Sequence, residues 1–338
     1  MSGVKSENPS ERETDVGSAR HTLLLFIITS LTFGTAFVGI KAGLVALPPI
    51  LFAGLRYDIG AAILLAFVYR RGGYWRPRTR GDLMAVVIAG LFLSGFNAAL
   101  LFTGQQYLTT GTAAVIFSLV PVLAPLFAIV LLPEEKFDFL GLIGILLGLV
   151  GVIIIVGLNS ISTTGNATLL GVTLVGGAAV AVAFGSVLLS KTDRSISGIG
   201  MTAWALVLAA GIVHGLSLLM GESPGDVTLT FGTLVAIFWV GVPATAVAFP
   251  AYYGLIDRAG PVRANLISYT VPLVATGVGA IVLNEVVPVR TVFGFAVIVI
   301  GFALIERQNL RDEIRRLRGV PASPDQDEEH ICESAPRG

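Results

Sequence analysis

The sequence has few charged residues, one cysteine and no clustered metal ligands, and each shortage excludes a class of protein. Asp, Glu, Lys and Arg make up 13% of the 338 residues, roughly half the share that soluble domains usually carry. A water-soluble fold of this length could not cover its surface with so few charges. Hydrophobic residues make up 54% of the chain and the mean hydropathy is +0.83, so the bilayer is the expected solvent for most of the chain.

The other absences narrow the function. Cys332 has no second cysteine to pair with, which excludes intrachain disulfides and cysteine-ligated metals. His21, His214 and His330 lie far apart, and we expect neither a metal nor any other cofactor. The sequence contains no GxxxxGK[ST] phosphate loop. Its 22 basic and 22 acidic residues leave no basic excess for nucleic acid.

Long apolar runs are what the sequence has in abundance. A spanning helix needs about 20 mostly apolar residues, and ten such runs occur, at 22–43, 49–69, 83–104, 109–132, 139–158, 167–190, 199–219, 232–255, 261–283 and 289–305. The runs are apolar on every side, which favours helices over β-strands. The sequence therefore predicts an all-α integral membrane protein of ten transmembrane helices. The first run lacks a small-x-small cleavage site, so we expect a retained helix rather than a signal peptide.

Charged residues collect at the chain ends and in a few loops. The polar segments 1–19 and 318–338 are expected to be disordered. The connection after the second run is strongly basic, as are those after the sixth and tenth runs, whereas the connection after the seventh carries Glu222 and Asp226 without a cation. Because short basic loops stay in the cytoplasm, we predict a multi-pass protein of the cell membrane with both termini cytoplasmic.

The two halves of the chain resemble each other. Residues recur at a spacing of 151, as in Phe33 with Phe184, Gly90 with Gly241, Phe102 with Tyr253 and Pro121 with Pro272. Later pairs are 150 apart, namely Gly144 with Gly294 and Gly151 with Gly301. One inserted residue near Pro133 explains the change, so either Glu134 or Glu135 corresponds to Glu285. We predict one repeat over 20–158 and a second over 167–306.

An odd number of helices in each repeat has a consequence for topology. The second repeat must enter the membrane from the opposite side, and the charge of corresponding loops changes accordingly. Inverted repeats are a recurrent architecture of secondary transporters, in which one scaffold opens alternately to each side. This predicts a transporter rather than an enzyme or a receptor.

The sequence resembles the EamA-type domains of the drug/metabolite transporter superfamily over about residues 20–306. The resemblance is carried by FGTAFVGIK (33–41), LFAGLR (51–56), TTGTAAVIFSLVPVLAPLFAIVLLPEE (109–135), GILLGLVGV (144–152), NLISYTVPLVATGVGAIVLNE (265–285) and GFAVIVIGFAL (294–304). It implies ten helices around a central cavity and secondary active transport of a small organic metabolite or drug-like solute by alternating access. The chain departs from the family at Pro133–Glu134–Glu135 and at Asn284–Glu285, where the family usually has Gly-Glu.

Two prolines interrupt the apolar runs at matching positions. Pro121 and Pro272 cannot bond to the carbonyls of Phe117 and Ser268, which either face the solute or are compensated by neighbouring hydroxyls such as Ser118 and Thr270. Uncharged polar residues fall in the third, fourth, eighth and ninth helices, which surround the cavity in the resembled family. The predicted solute pathway comprises Asn97, Gln105, Ser118, Pro121, Tyr253, Asn265, Ser268, Tyr269 and Pro272.

Five charged residues are candidates for gating or coupling: Lys41, Arg56, Glu134, Glu135 and Glu285. Arg56 either lines the pathway and attracts an anionic group or snorkels outward along its stem, and snorkelling is favoured. The glutamates end helices, where a negative charge is unfavourable, so each needs a cationic or hydrogen-bonding partner. His214 could relay protons, although a structural histidine with one satisfied bond is favoured.

The expected partners are a small-molecule solute and membrane lipid, with transport coupled either to protons or to exchange. Gly144 and Gly148 form a GxxxG pattern that fits helix packing within the chain or in a homodimer. An intramembrane enzyme acting on a lipid-soluble substrate would need a convergent nucleophile and base or a metal cluster, and no such motif occurs in the apolar runs. A membrane sensor or scaffold has the polar tail as its one positive feature.

Overall fold

The computed structural model describes residues 9–131, 139–156, 166–252, 255, 267–305 and 307, and the regular structure of these residues is helical. We number the helices α1 (Pro9–Gly43), α2 (Pro49–Arg71), α3 (Arg80–Gln105), α4 (Thr110–Phe117 and Val120–Leu131), α5 (Phe139–Val156), α6 (Asn166–Ser190), α7 (Gly198–Leu219), α8 (Phe231–Tyr252), α9 (Ile267–Val282) and α10 (Val289–Ile305).

Seven of these helices are long and apolar enough to cross a membrane: Thr22–Gly43 within α1, α2, α3, Thr110–Ala128 within α4, Ala167–Ser190 within α6, α7 and α8. Shorter apolar helices occupy Leu140–Ile155, Ile267–Val282 and Val289–Ile305, where the other three apolar runs were expected. Large side chains are exposed on the outer faces, including Ile281 (81%) and Phe231 (84%). Such contiguous apolar exposure fits a surface that lies in lipid.

Helix α1 begins earlier than the sequence suggested. Residues 1–19 were expected to be disordered, but the helix starts at Pro9 and continues without a break to Gly43. Proline is tolerated in the first turn of a helix because its missing N–H would have no partner there.

Helices α3 and α8 begin in the same way, 151 residues apart. Thr79 precedes α3 and accepts a hydrogen bond from the Asp82 backbone N–H, and Thr230 does the same for Thr233 at the start of α8. Each helix then contains a π-helical segment, Ala89–Phe96 in α3 and Val242–Val247 in α8. The spacing of 151 residues therefore recurs in local backbone geometry, and this is informative because π-segments are rare in helices.

Asp82 fastens two connections to each other. It is fully buried, and its Oδ2 accepts hydrogen bonds from the Tyr74 hydroxyl (2.6 Å) and from backbone N–H groups at the start of α3. Its Oδ1 accepts from the N–H groups of Ser195 (2.8 Å) and Ile196 (2.9 Å). The bond to Asp82 raises the pKa of the Tyr74 phenol. One carboxylate thus links the α2–α3 connection to the α6–α7 connection.

The most extensive helix contact is between α5 and α10 and is made by glycines. A Cβ at Gly151 would lie 2.7 Å from the Gly294 carbonyl oxygen, and one at Gly301 would lie 2.5 Å from the Gly144 carbonyl oxygen. The earlier residue of α5 therefore meets the later residue of α10, so the two helices run antiparallel. Gly148 faces Val122 of α4, which shows that the GxxxG pattern packs within the chain.

Helices α2 and α7 also pack closely and antiparallel. Gly54 lies against His214, and Gly60 lies against Leu206 and against Thr245 of α8. Other main contacts form three matched pairs. The α1–α9 contact matches the α4–α6 contact, α1–α8 matches α3–α6, and α2–α8 matches α3–α7. At the centre, Phe52 and Phe102 are fully buried and meet edge to face with ring centroids 5.3 Å apart.

We predict that Gly151→Ala and Gly301→Ala destabilise the protein by about 1–3 kcal/mol, because the new methyl groups would meet backbone atoms that cannot move aside. Thermal unfolding of the purified protein in detergent checks this. Gly176 and Gly277 are matched controls, since a Cβ there meets no atom within 4 Å. Alanine at these controls is expected to leave stability unchanged or to raise it, because alanine is the better helix former. Equal losses at all four positions would contradict the packing.

Candidate functional site

Three groups of charged and polar side chains are candidates for a functional site. The first lies around the N-terminus of α4 and comprises Lys41, Gln105, Thr110 and Glu285; we call it the α4 cluster. The second contains Arg56 and Tyr57 of α2 with Ser94 of α3, and we call it the arginine cluster. The third is the pair formed by Asp58 and His214.

Glu285 of the α4 cluster follows the end of α9 and bonds to the start of α4. Asn284 has a left-handed backbone (φ 52°), which short polar side chains tolerate at helix ends. The turn directs the Glu285 carboxylate to the Thr110 backbone N–H, with Oε2 at 2.7 Å from the nitrogen. A negative charge is unfavourable at the end of α9 but favourable at the beginning of α4. The hydrogen-bonding partner that Glu285 was expected to need is therefore the N-terminus of α4.

Lys41 occupies the opposite side of the α4 cluster. Its ammonium donates hydrogen bonds to the backbone carbonyls of Gln105 (3.0 Å), Gln106 (3.2 Å) and Leu108 (2.8 Å). These carbonyls lie at and after the end of α3, where a helix has acceptors without intrahelical partners. The Gln105 side chain in turn bonds to α1, since its Nε2 donates to the Phe37 carbonyl at 2.5 Å. Helices α1, α3, α4 and α9 are joined at this point.

Arg56 does not snorkel, so that prediction is wrong. Its residue exposure is 7%, and its Nη2 donates to the Tyr57 hydroxyl at 2.7 Å. The Tyr57 hydroxyl donates to the Ser94 carbonyl in the π-segment of α3 at 3.0 Å. The guanidinium carbon lies 4.5 Å from the Tyr57 ring centroid and 4.9 Å from that of Phe102. The aromatic rings hold the guanidinium inside the protein, where it cannot extend to the water boundary.

Asp58 and His214 form an ion-pair geometry between α2 and α7. The Asp58 Oδ2 lies 2.8 Å from the His214 Nε2. The side chains are 51% and 34% exposed, so the pair lies on the outward face of the two helices. Gly54 provides the space, because a Cβ there would lie 2.5 Å from the imidazole. Asp58 therefore bonds to His214, and His214 has the bonding partner that the sequence analysis favoured for it.

The two prolines differ in their effect. Helix α4 is interrupted at Ser118 and Leu119, just before Pro121, whereas α9 continues through Pro272. The Ser118 hydroxyl donates to the Val115 carbonyl at 2.7 Å. Thr270 donates to the Ile267 carbonyl in the same way. The hydroxyls therefore bond to neighbouring carbonyls, but not to those that the prolines leave unpaired.

The other predicted pathway residues that the structure describes have separate contacts. Asn97 is buried and donates to the Leu93 carbonyl of its own helix at 3.0 Å. Tyr269 packs on Phe302 of α10, with ring centroids 4.6 Å apart, and Ser268 is half-buried. The predicted site residues Glu134, Glu135, Tyr253 and Asn265 lie outside the described residues.

Glu222 has a structural role that its charge alone did not reveal. Its carboxylate accepts hydrogen bonds from the backbone N–H groups of Ile50 (3.1 Å) and Leu51 (2.6 Å), and from the Ser217 hydroxyl (2.8 Å). It therefore caps the N-terminus of α2 from the α7–α8 connection, as Glu285 caps α4 from the α9–α10 connection. The signal in the sequence was Pro48–Pro49 at the helix start, which leaves a capping position without a side-chain acceptor.

Comparisons with known proteins agree with this architecture. The model of the EamA-like transporter family matches the chain twice, over residues 21–157 and 169–307. An uncharacterized transporter of Archaeoglobus fulgidus is 27% identical over 290 residues, which cover 84% of the chain and 98% of that protein. The uncharacterized inner membrane transporter YedA of Escherichia coli is 30% identical over 263 residues, covering 76% and 82%. A crystal structure superposes with a TM-score of 0.61 at 22% identity and covers 84% of the chain and 96% of its own.

Proposed function

The chain belongs to the EamA-like transporter family, and on this basis we propose that it is a secondary transporter of a small organic solute. We propose further that ten helices form two inverted repeats of five, which open a shared solute pathway alternately to each side of the membrane. The observation that carries the proposal is the antiparallel packing of helices that correspond in the two family matches.

The contact between α5 and α10 provides the first support. By sequence Gly144 corresponds to Gly294 and Gly151 to Gly301, whereas in space Gly144 meets Gly301 and Gly151 meets Gly294. Exchanging the repeats therefore maps the contact onto itself. Two corresponding helices that run antiparallel can be related by a twofold axis perpendicular to them. Inverted repeats have such an axis, so the contact supports that arrangement. The antiparallel contact of α2 with α7 leads to the same axis.

The paired contacts provide the second support. Exchanging each helix for the one five positions away converts the α1–α9 contact into the α6–α4 contact, and the α3–α6 contact into the α8–α1 contact. The capping residues and π-segments of α3 and α8 follow the same exchange. These matched contacts support the proposal that both repeats use the same packing.

In the orientation that we propose, the arginine-rich α2–α3 connection is cytoplasmic and the α7–α8 connection is external. The α4 cluster then lies at the external end of the pathway. We propose that Lys41 and Glu285 hold that end closed by tying α1 and α9 to the start of α4. Asn97, Gln105, Ser118, Pro121, Ser268, Tyr269 and Pro272 remain the proposed pathway residues.

The proposed topology is tested by cysteine labelling of the full-length chain in a Cys332→Ser background. Cysteines introduced at the exposed positions Arg76 and Gly225 are expected to react with an impermeant maleimide from opposite sides of the membrane, because their loops correspond in inverted repeats. The Arg76→Cys variant keeps Arg78 in the α2–α3 connection and Arg70, Arg71 and Arg80 at the adjoining helix ends. Labelling of both positions from one side would contradict the inversion.

Labelling also tests the external gate. Ala113 is fully buried in the first turn of α4, so an Ala113→Cys variant is expected to react slowly from outside. Adding Lys41→Gln or Glu285→Gln is expected to accelerate labelling several-fold, because contacts between α1, α9 and α4 are lost. Glu222→Gln is the matched control, since it weakens the cap of α2 and leaves the α4 cluster intact. Equal acceleration by all three substitutions would show general loosening and overturn the gate.

The Asp58–His214 pair is our proposed proton site for coupled transport. It is the one ion-pair contact within the part of the chain that the structure describes, and intramembrane titratable pairs often serve as proton sites. Arg56 on the same helix bonds to Tyr57, and Glu222 bonds to the start of α2. Helix α8, which packs on α2, contains no Asp, Glu, Lys, Arg or His over 231–252. Among these described residues, no other charged group bonds to either member.

We expect that Asp58→Asn and His214→Gln abolish proton movement without stopping solute exchange. Liposomes containing a pH-sensitive dye report protons when N-acetylated amino acids or their carboxamides are added as probe solutes, and labelled probes report exchange. Gly211→Ala is the control, since a Cβ there meets nothing within 4 Å on the same face of α7. Persistent proton movement in both pair variants would refute this assignment.

A further inference from the structure

We propose that the transported solute carries a carboxylate and that Arg56 is the group that binds it. The inference rests on the proposed transport function and adds a substrate class to it. It starts from the arginine cluster, in which a permanently charged side chain is buried without a negative partner.

Among the described residues, no acidic side chain bonds to Arg56. At 7% exposure, Arg56 donates to the neutral Tyr57 hydroxyl, and its guanidinium lies against the rings of Tyr57 and Phe102. Among the described residues the nearest acidic residue along α2, Asp58, is bonded to His214. Arg56 Nε is a buried donor without a hydrogen-bond partner. The described residues thus enclose the positive charge without neutralising it.

A buried charge without a counter-ion is costly, because the low dielectric of the surroundings weakens its solvation. Structural arginines usually avoid this cost by pairing or by reaching water. Within the part of the chain that the structure describes, Arg56 does neither. The arrangement is explained if the counter-ion arrives with the solute and leaves with it.

The part of the guanidinium that is not bonded to Tyr57 has the geometry to bind a carboxylate. The Tyr57 and Phe102 rings lie near its carbon at 4.5 and 4.9 Å, and the hydrogen bond to Tyr57 uses one of its five protons. The Nε–H and the remaining Nη protons provide a planar fork, which two carboxylate oxygens can accept at once. One carboxylate neutralises one guanidinium, whereas a phosphate dianion would leave a net negative charge in apolar surroundings.

Helix α3 adds acceptors that the fold leaves unused. Asn97 Oδ1 and Gln105 Oε1 are buried atoms without hydrogen-bond partners, on the helix that also provides the Ser94 carbonyl. Polar atoms in this state are rare in folded proteins. They suit a solute that carries an N–H or O–H donor beside its carboxylate, so the solute class we infer is a small carboxylic acid with a neighbouring donor group.

The test compares the binding of acids and of their neutral analogues to the purified full-length protein. The probes are N-acetylated amino acids with aromatic, aliphatic and polar side chains, each paired with its C-terminal carboxamide, which has the same shape but no charge. Binding is measured by thermal stabilisation and transport by uptake into liposomes. We expect stabilisation by at least one acid, with its carboxamide at least tenfold weaker.

Substitutions then assign the effect to Arg56. Arg56→Gln is expected to remove the preference of the wild-type protein for acids, with at least a tenfold loss of affinity. Arg56→Lys is expected to retain part of it, because lysine keeps the charge but lacks the planar fork. Arg70→Gln is the matched control, an exposed arginine on the same helix, and should behave as wild type.

Ligand-free stability gives a second measurement. Arg56→Met removes the unpaired charge and keeps an apolar stem, so we expect its melting temperature to equal or exceed that of the wild type. A clearly lower melting temperature would make Arg56 a structural residue and overturn the proposal. Equal binding of acids and carboxamides, or full acid binding by Arg56→Gln, would also overturn it. Failure to transport any probe, charged or neutral, would instead count against the proposed transport function.

Discussion

The absence of water in the bilayer interior is the constraint on which the rest of this structure depends. A polar group there must find its partner within the protein, and the helix ends of this chain satisfy that demand with side chains from elsewhere in the sequence. Glu285 bonds to the start of α4, Glu222 bonds to the start of α2, and Lys41 bonds to carbonyls at the end of α3. Apolar surfaces alone would bring these helices together without fixing their positions along each other. Each of these polar contacts fixes that register.

The same constraint separates scaffold from site. Asp82 accepts five hydrogen bonds and Glu222 accepts three, so both carboxylates are fully used by the fold. Arg56 is the opposite case, since the described residues offer it a hydroxyl and two ring faces but no anion. A group that remains incompletely partnered in a dry interior is where a ligand gains most on binding. This difference makes Arg56 a better candidate for solute binding than the satisfied charges nearby.

Much of the scaffold could be predicted from the sequence because it depends on length, apolar composition and repeated glycines. The register at Gly144 and Gly151 follows from the repeat, and Lys41, Arg56 and Glu285 were recognised as charges in apolar surroundings. The pairing of Asp58 with His214 could not be predicted, since it joins residues 156 positions apart through the crossing of α2 and α7. The roles of Tyr57 and Ser94 depend on the π-segment of α3, for which neither composition nor spacing gives a signal. Snorkelling of Arg56 was wrong because helix position alone does not reveal which neighbours enclose a side chain.

The repeats share their packing but not their charges, and this difference bears on mechanism. At a spacing of 151, Lys41 corresponds to Thr192, Arg56 to Val207 and Asp58 to Ala209, while His214 corresponds to Ile63. Two identical inverted repeats would give inward-open and outward-open states of equal free energy, because exchanging the repeats converts one state into the other. Charges present in one repeat alone remove that equality. In the alternating access that we propose, the symmetric glycine contacts allow two states of the protein. The asymmetric charges then give these states different free energies, and binding of a solute or a proton can reverse that difference.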